Sequence, residues 1–75
     1  MFGFPTRNEV ESVKAEYPEG CRVELLSMSD PFTNIRKGTQ GTVRKVDDIG
    51  SVHVNWDNGS SLAAVYGVDH ISIVH

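Results

Sequence analysis

The sequence predicts a mainly β domain, five short strands behind a short N-terminal α-helix. Three observations carry this. Val52-His53-Val54-Asn55-Trp56 alternates apolar and polar residues and runs into Asn58-Gly59, the strongest short hairpin signal, because both central positions of the favoured two-residue turn need positive φ. Asp48-Ile49-Gly50 marks a second bend before that strand, where glycine takes a conformation that a β-branched residue resists. Ahead of the strands, Thr6 and Glu9 have the spacing of a helix capping box and Pro18 supplies a stop, since a proline pushes the residue before it out of the helical region.

The helix is expected from Arg7 to about Glu16. Val10 and Val13 share one face and Tyr17 continues it, while Glu9, Glu11, Lys14 and Glu16 lie mostly elsewhere. Pro5 can meet Val10 as a hydrophobic staple. A helix this short is marginal alone, so Val10, Val13 and Phe2 or Phe4 are expected to dock on the rest of the chain or on another copy. Residues 1–17 therefore read as a helical arm and 18–75 as a barrel.

After a turn at Pro18-Glu19-Gly20, the first strand is expected at Cys21–Leu25, with Cys21, Val23 and Leu25 inward. Ser29 to Asn34 has the composition of a surface loop, opened by Asp30-Pro31; Phe32 stands out in it, and Ile35 is placed to plug the barrel end. In the second strand, Gly41–Val46, Val43 points inward and Val46 breaks the alternation, which implies a bulge near Lys45. The third strand puts Val52, Val54 and Trp56 on one side; the fourth puts Leu62 and Ala64 inward, with Val65 at the edge of the register. A tight turn at Tyr66-Gly67-Val68-Asp69 leads to the fifth strand, His70–Val74, with Ile71 and Ile73 buried. A long loop after the first strand, tight hairpins in the middle and a turn before the last describe an SH3-like barrel. A five-stranded OB-type barrel ranks lower, because that fold carries longer strands and a helix between the third and fourth.

Seventy-five residues, 39% of them hydrophobic, make one small domain. A chain of this length buries only about 60% of the surface its unfolded form exposes, which leaves little room for a deep catalytic cleft. The formal charge of −3 means that nucleic acid would have to be held by a local patch rather than by the field of the whole molecule. With Cys21 as the one cysteine, no internal disulfide can form. Met1-Phe2-Gly3-Phe4-Pro5 is too short and interrupted for a signal peptide, and no apolar run approaches a membrane span. A cytoplasmic, non-membrane location is the expectation.

Several segments carry a more specific likeness. Pro18 to Leu25, Gly38 to Val43, and above all Val46-Asp47-Asp48-Ile49-Gly50 followed by Trp56-Asp57-Asn58-Gly59-Ser60-Ser61-Leu62 resemble an uncharacterised family of small domains found in bacteria, their phages and mobile elements. The chain departs from that pattern at Cys21, where threonine is expected, and at Lys37, where proline is expected; neither bears on the fold. The resemblance implies a phage or mobile-element setting, in the cytoplasm of a bacterial host. It assigns no activity and therefore no functional residue. Lys37-Gly38-Thr39-Gln40-Gly41-Thr42-Val43 is more loosely similar to KOW-type modules, in which paired glycines bend a loop into a strand and which bind RNA or protein.

Candidate site residues come from turns and loops. Asp47 and Asp48, with His53 close in sequence, offer oxygen and nitrogen ligands to a divalent metal. Turn chemistry explains them more simply, because an aspartate bonds the backbone two residues on, and no metal or cofactor is expected. His53, His70 and His75 lack ligand spacing, Cys21 falls on the inward side of its strand, and no nucleophile, base and orienting group pair by motif. No enzymatic activity is expected. Trp56 could stack a base or a proline-rich ligand, although sharing a face with Val52 and Val54 favours the core. Phe32 and Tyr66, with Arg36 and Lys37, could form an aromatic and basic patch for a phosphate or an acidic peptide; alternatively both rings seal the barrel ends. Asn58 and its neighbours from Asp57 to Ser61 could recognise a nucleotide, with turn chemistry the favoured alternative.

The leading functional reading is a non-enzymatic binding module of phage or mobile-element origin that engages a host or viral protein, with an anti-defence role among its expected uses. A second is an oligomeric sponge for a small, cyclic nucleotide signal, clamped between copies by Arg36, Lys37 and an aromatic ring. A third is RNA or DNA binding through Arg36, Lys37, Arg44 and Lys45, with steep salt dependence.

Overall fold

Thr6 opens the helix as its spacing predicts. In the computed structural model, which describes residues 6–28 and 35–74, the Thr6 hydroxyl accepts the Glu9 N–H at 3.2 Å and the Glu9 carboxylate accepts the Thr6 N–H at 3.0 Å. The helix, α1, runs over Arg7–Glu16 and stops at Tyr17, whose backbone leaves helical geometry ahead of Pro18. Its buried face is Val10 and Val13. The staple residue Pro5, together with Phe2, Phe4, the Asp30-Pro31 turn, Phe32 and His75, lies outside the described residues.

The strands are β1 Arg22–Ser27, β2 Gln40–Val46, β3 Val52–Trp56, β4 Ala63–Ala64 and β5 His70–Ile73. They form one antiparallel sheet in the order β4-β3-β2-β1-β5, so the last strand returns to pair with the first. β2 carries the expected bulge, between Val43 and Lys45, and β1 a second one between Leu25 and Ser27 against β5. These irregularities bend the sheet around a core of Val23, Leu25, Ile35, Val43, Val52, Val54, Trp56 and Ala64, to which α1 adds Val13. The helix therefore packs on the sheet of its own chain.

The sheet is not closed. Among the described residues β4 and β5 are its two edges and do not pair with each other, so the arrangement is barrel-like only in its strand order and curvature. This corrects the burial expected for Ile71 and Ile73, which are half-buried because β5 has a neighbour on one side only. Leu62, expected inward, is 37% exposed. The ladder between β3 and β4 ends at His53 opposite Ala63, and the Leu62 carbonyl leaves it to accept the buried Trp56 indole N–H at 2.8 Å. The indole's need for a partner sets the path of the chain there.

The hairpin turns also differ from the simplest expectation. Gly59 has φ 93° and Gly50 φ 81°, but no non-glycine residue has positive φ among the described residues, so Asn58-Gly59 is not a two-residue turn. Instead Gly59 N–H bonds Trp56 C=O at 2.9 Å and Trp56 N–H bonds Ser60 C=O at 2.8 Å, the pattern of a three-residue loop closed by one left-handed glycine. Asp47, Gly50 and Ser51 repeat it, at 3.1 Å and 3.0 Å. Both loops share the order Asp, any residue, Gly, Ser: Asp48-Ile49-Gly50-Ser51 and Asp57-Asn58-Gly59-Ser60. No helix among the described residues is long and apolar enough to cross a membrane.

Candidate functional site

Two hydrogen bonds tie α1 to the chain at the sheet edges. Tyr17, at the helix end, donates its hydroxyl to the Ile71 carbonyl of β5 at 3.4 Å, and Tyr66, just after β4, donates to the Glu9 carboxylate at 2.5 Å. Between these two ties sits a pocket of about 200 Å³. Its apolar lining comes from Val13, Val52, Ala64, Val65 and Ile71, and its polar groups from Glu16, Tyr17, Tyr66, Asp69 and His70. Three separate stretches of the chain meet there: the C-terminal end of α1 with Tyr17, the start of β3 with Gly50 before it, and the run from β4 through its turn into β5.

That turn is built as the sequence predicts. Val68 and Asp69 N–H groups both bond the Val65 carbonyl, at 3.1 Å and 2.9 Å, and the Asp69 carboxylate accepts the Val65 N–H at 2.8 Å. Asp69 thereby holds the pocket wall in place. The Glu9 carboxyl is held below its ordinary range by the Tyr66 hydroxyl and then by the Thr6 cap, and the same bond pushes the Tyr66 phenol up. Burial, and then the nearby Glu16 carboxylate, push the Tyr17 phenol up.

A second depression, of about 420 Å³, is lined by Arg7, Val10, Glu11, Lys14 and Asp48. It is a solvated groove of both charge signs, with Lys14 paired to Asp48 at 3.6 Å, and no aromatic ring among those residues could stack a base.

Among the described residues, the predicted site residues do not gather at the pocket of Tyr17 and Tyr66. Tyr66 faces Glu9 on the helix, and the pocket it lines includes neither Arg36 nor Lys37, which are exposed at the turn leading into β2. Phe32, the other ring of the proposed basic patch, lies outside the described residues. Trp56 is 3% exposed and takes the core position of its two readings. Asn58 sits exposed at the hairpin tip, where its Oδ1 accepts the Ser60 N–H at 3.0 Å. Asp48 is exposed in the other hairpin.

Asp47 is the most engaged of the set. Its Oδ1 accepts the Ile49 and Ser51 N–H groups at 3.1 Å and 2.9 Å, and its Oδ2 meets His53 Nε2 at 2.9 Å. This is the turn chemistry expected of it, extended to a half-buried partner on β3. Burial works to raise the Asp47 carboxyl, but the bonds from His53, Ser51 and Ile49 outweigh it, and the net shift is downward. A lowered folded value contributes stability that is present above the unfolded value, ordinarily ~3.9, and lost as pH falls through the folded one. Asp47→Asn should therefore cost about 1 kcal/mol at neutral pH and flatten the loss of stability on acidification, read as urea midpoints over an acid series. An unchanged acid slope would show that Asp47 does not carry it.

Among the described residues no three His, Cys, Asp or Glu side chains are grouped as a metal site requires. Cys21 is half-buried against the core and burial pushes its thiol up, which makes it less nucleophilic. Arg22 instead spans the outer sheet face. It bonds Thr42 Oγ1 at 2.9 Å and makes a two-pronged pair with Asp57 beyond β3.

Sequence reasoning read Glu16 as part of the solvated helix face and Asp69 as a turn residue; nothing in their spacing joins them. The one available signal for the pocket was the shared apolar face of Val10, Val13 and Tyr17, which required a docking surface.

With the geometry in place, the comparisons with known proteins add one finding. The family described as Domain of unknown function (DUF4314) matches residues 6–74, helix and all five strands included, and the chain belongs to it. No curated protein and no solved structure matches the chain.

Proposed function

We propose that this DUF4314 domain is a non-enzymatic binding module, of phage or mobile-element origin in a bacterial cytoplasm, that engages a host or viral protein through the pocket lined by Tyr17 and Tyr66. The observation that carries this is the construction of the pocket. An apolar floor from the helix, β3, β4 and β5 is framed by polar groups held in place by their own hydrogen bonds, as in recognition sites generally. The residues that could have carried chemistry have structural work instead: Asp47 ties a hairpin, Trp56 fills the core and Cys21 packs against it. The origin rests on the resemblance of the Val46–Gly50 and Trp56–Leu62 segments. Nucleotide sequestration ranks lower, because Tyr66 is committed to an acidic partner rather than to Arg36 and Lys37.

A photo-crosslinking residue placed at Val65, which is 43% exposed on the pocket wall, should capture a protein when the domain is expressed in bacteria. The same residue at Asn55, exposed on β3, should not. Capture from Asn55 alone, or equally from both, overturns the assignment of the pocket.

A further inference from the structure

We propose that this pocket receives a lysine or arginine side chain presented by a peptide segment of the partner, an inference that rests on the binding-module reading. Charge is the first argument. Glu16 lines the helix wall and Asp69 the turn wall, while among the described residues no lysine or arginine lines the pocket. A third carboxylate, Glu9, stands at its edge through the bond to Tyr66. The C-terminal turn of α1 supplies that helix wall, so the negative end of the helix dipole adds to the same field. Both tyrosine hydroxyls have carboxylates beside them, and both phenols are pushed up.

Shape is the second argument. Tyr17 and Tyr66 line the pocket, the residue type over whose ring an ammonium or guanidinium is attracted. Val13, Val52, Ala64 and Ile71 make the floor, a surface on which the methylene stem of a basic side chain packs while its head stays polar. The volume of about 200 Å³ is below the roughly 300–1,000 Å³ of pockets that enclose drug-sized molecules, which suits one side chain better than a whole nucleotide. Val65 and Val68, 43% and 50% exposed in and beside the wall, offer contacts to apolar residues that flank the basic one.

The test is selection from a random dodecapeptide library on the immobilised domain at low salt and about pH 8. Enriched peptides should share a lysine or arginine with apolar neighbours. A synthetic winner should bind Glu16→Lys at least about tenfold more weakly than the parent domain, and Glu24→Lys, the same charge change on β1, as tightly as the parent. Glu16 is exposed, and Trp56 fluorescence reports whether each variant is folded. Enriched peptides without a basic residue, or parent affinity in Glu16→Lys, overturn the cation proposal and leave the binding module standing. Failure to enrich any peptide overturns the module reading together with it.

Discussion

Trp56→Ala should remove a third or more of the domain's stability and lower its urea midpoint in proportion. The ring is 3% exposed in a core whose other members are mostly valines, so no neighbour is large enough to fill the space it would vacate. Removing a buried aromatic side chain costs about 4 kcal/mol, against a total stability of roughly 4–11 kcal/mol for a chain of this size. The loss reaches beyond packing, because the Trp56 indole also holds the Leu62 carbonyl and with it the approach of the chain to β4. Trp56→Phe separates the two effects. It keeps most of the ring but leaves Leu62 without its donor, and should cost about 2 kcal/mol. Circular dichroism against urea measures both variants without relying on the lost fluorophore. A Trp56→Ala domain as resistant to urea as the parent would contradict the core role and reopen Trp56 as a ligand-stacking residue.

Gly41→Ala should cost about 3 kcal/mol, equivalent to roughly 15 °C in melting temperature for a domain this small. The reason is space rather than backbone freedom, since Gly41 is absent from the positive-φ residues. A methyl group there would meet Val54 Cγ1 at 2.5 Å, the Asn55 carbonyl oxygen at 2.8 Å and Trp56 Cα at 3.0 Å. Two of the three are backbone atoms of the paired strand β3 and cannot rotate away. Ordinarily alanine is the better strand residue of the two, so a neutral or stabilising result would show that β2 and β3 are less closely apposed than the register Gly41 opposite Trp56 implies.

Much of the fold was legible because its signals are local. The Thr6–Glu9 cap spans three residues, the Pro18 stop acts on the residue before it, and the alternation of Val52, Val54 and Trp56 is written into five consecutive positions. The bulge near Lys45 was readable from a single break in period two. Asn58-Gly59 signalled a hairpin correctly, yet the two-residue turn it suggested gave way to a three-residue loop, because Trp56 pairs across it with Ser60. Leu62 was misjudged for a related reason: alternation assumes a continuing ladder, and a buried indole drew the carbonyl away.

The candidate site was hardly legible. Tyr66 was singled out, but its hydroxyl meets a residue 57 positions earlier, and Tyr17 meets Ile71 across 54. Contacts of that separation leave no periodicity in the sequence. Residue types and short spacings by themselves determined the helix, the five strands, the bulge in β2 and the apolar face that needed covering, because each depends on sterics and hydrogen bonds within a few residues. Only the tertiary structure decided that the sheet stays open between β4 and β5, that α1 packs on the sheet of its own chain, and that Glu16, Asp69 and two tyrosines converge on one pocket. Those outcomes follow from how the bulged, twisted sheet brings distant segments together, and that geometry is a property of all the strands at once.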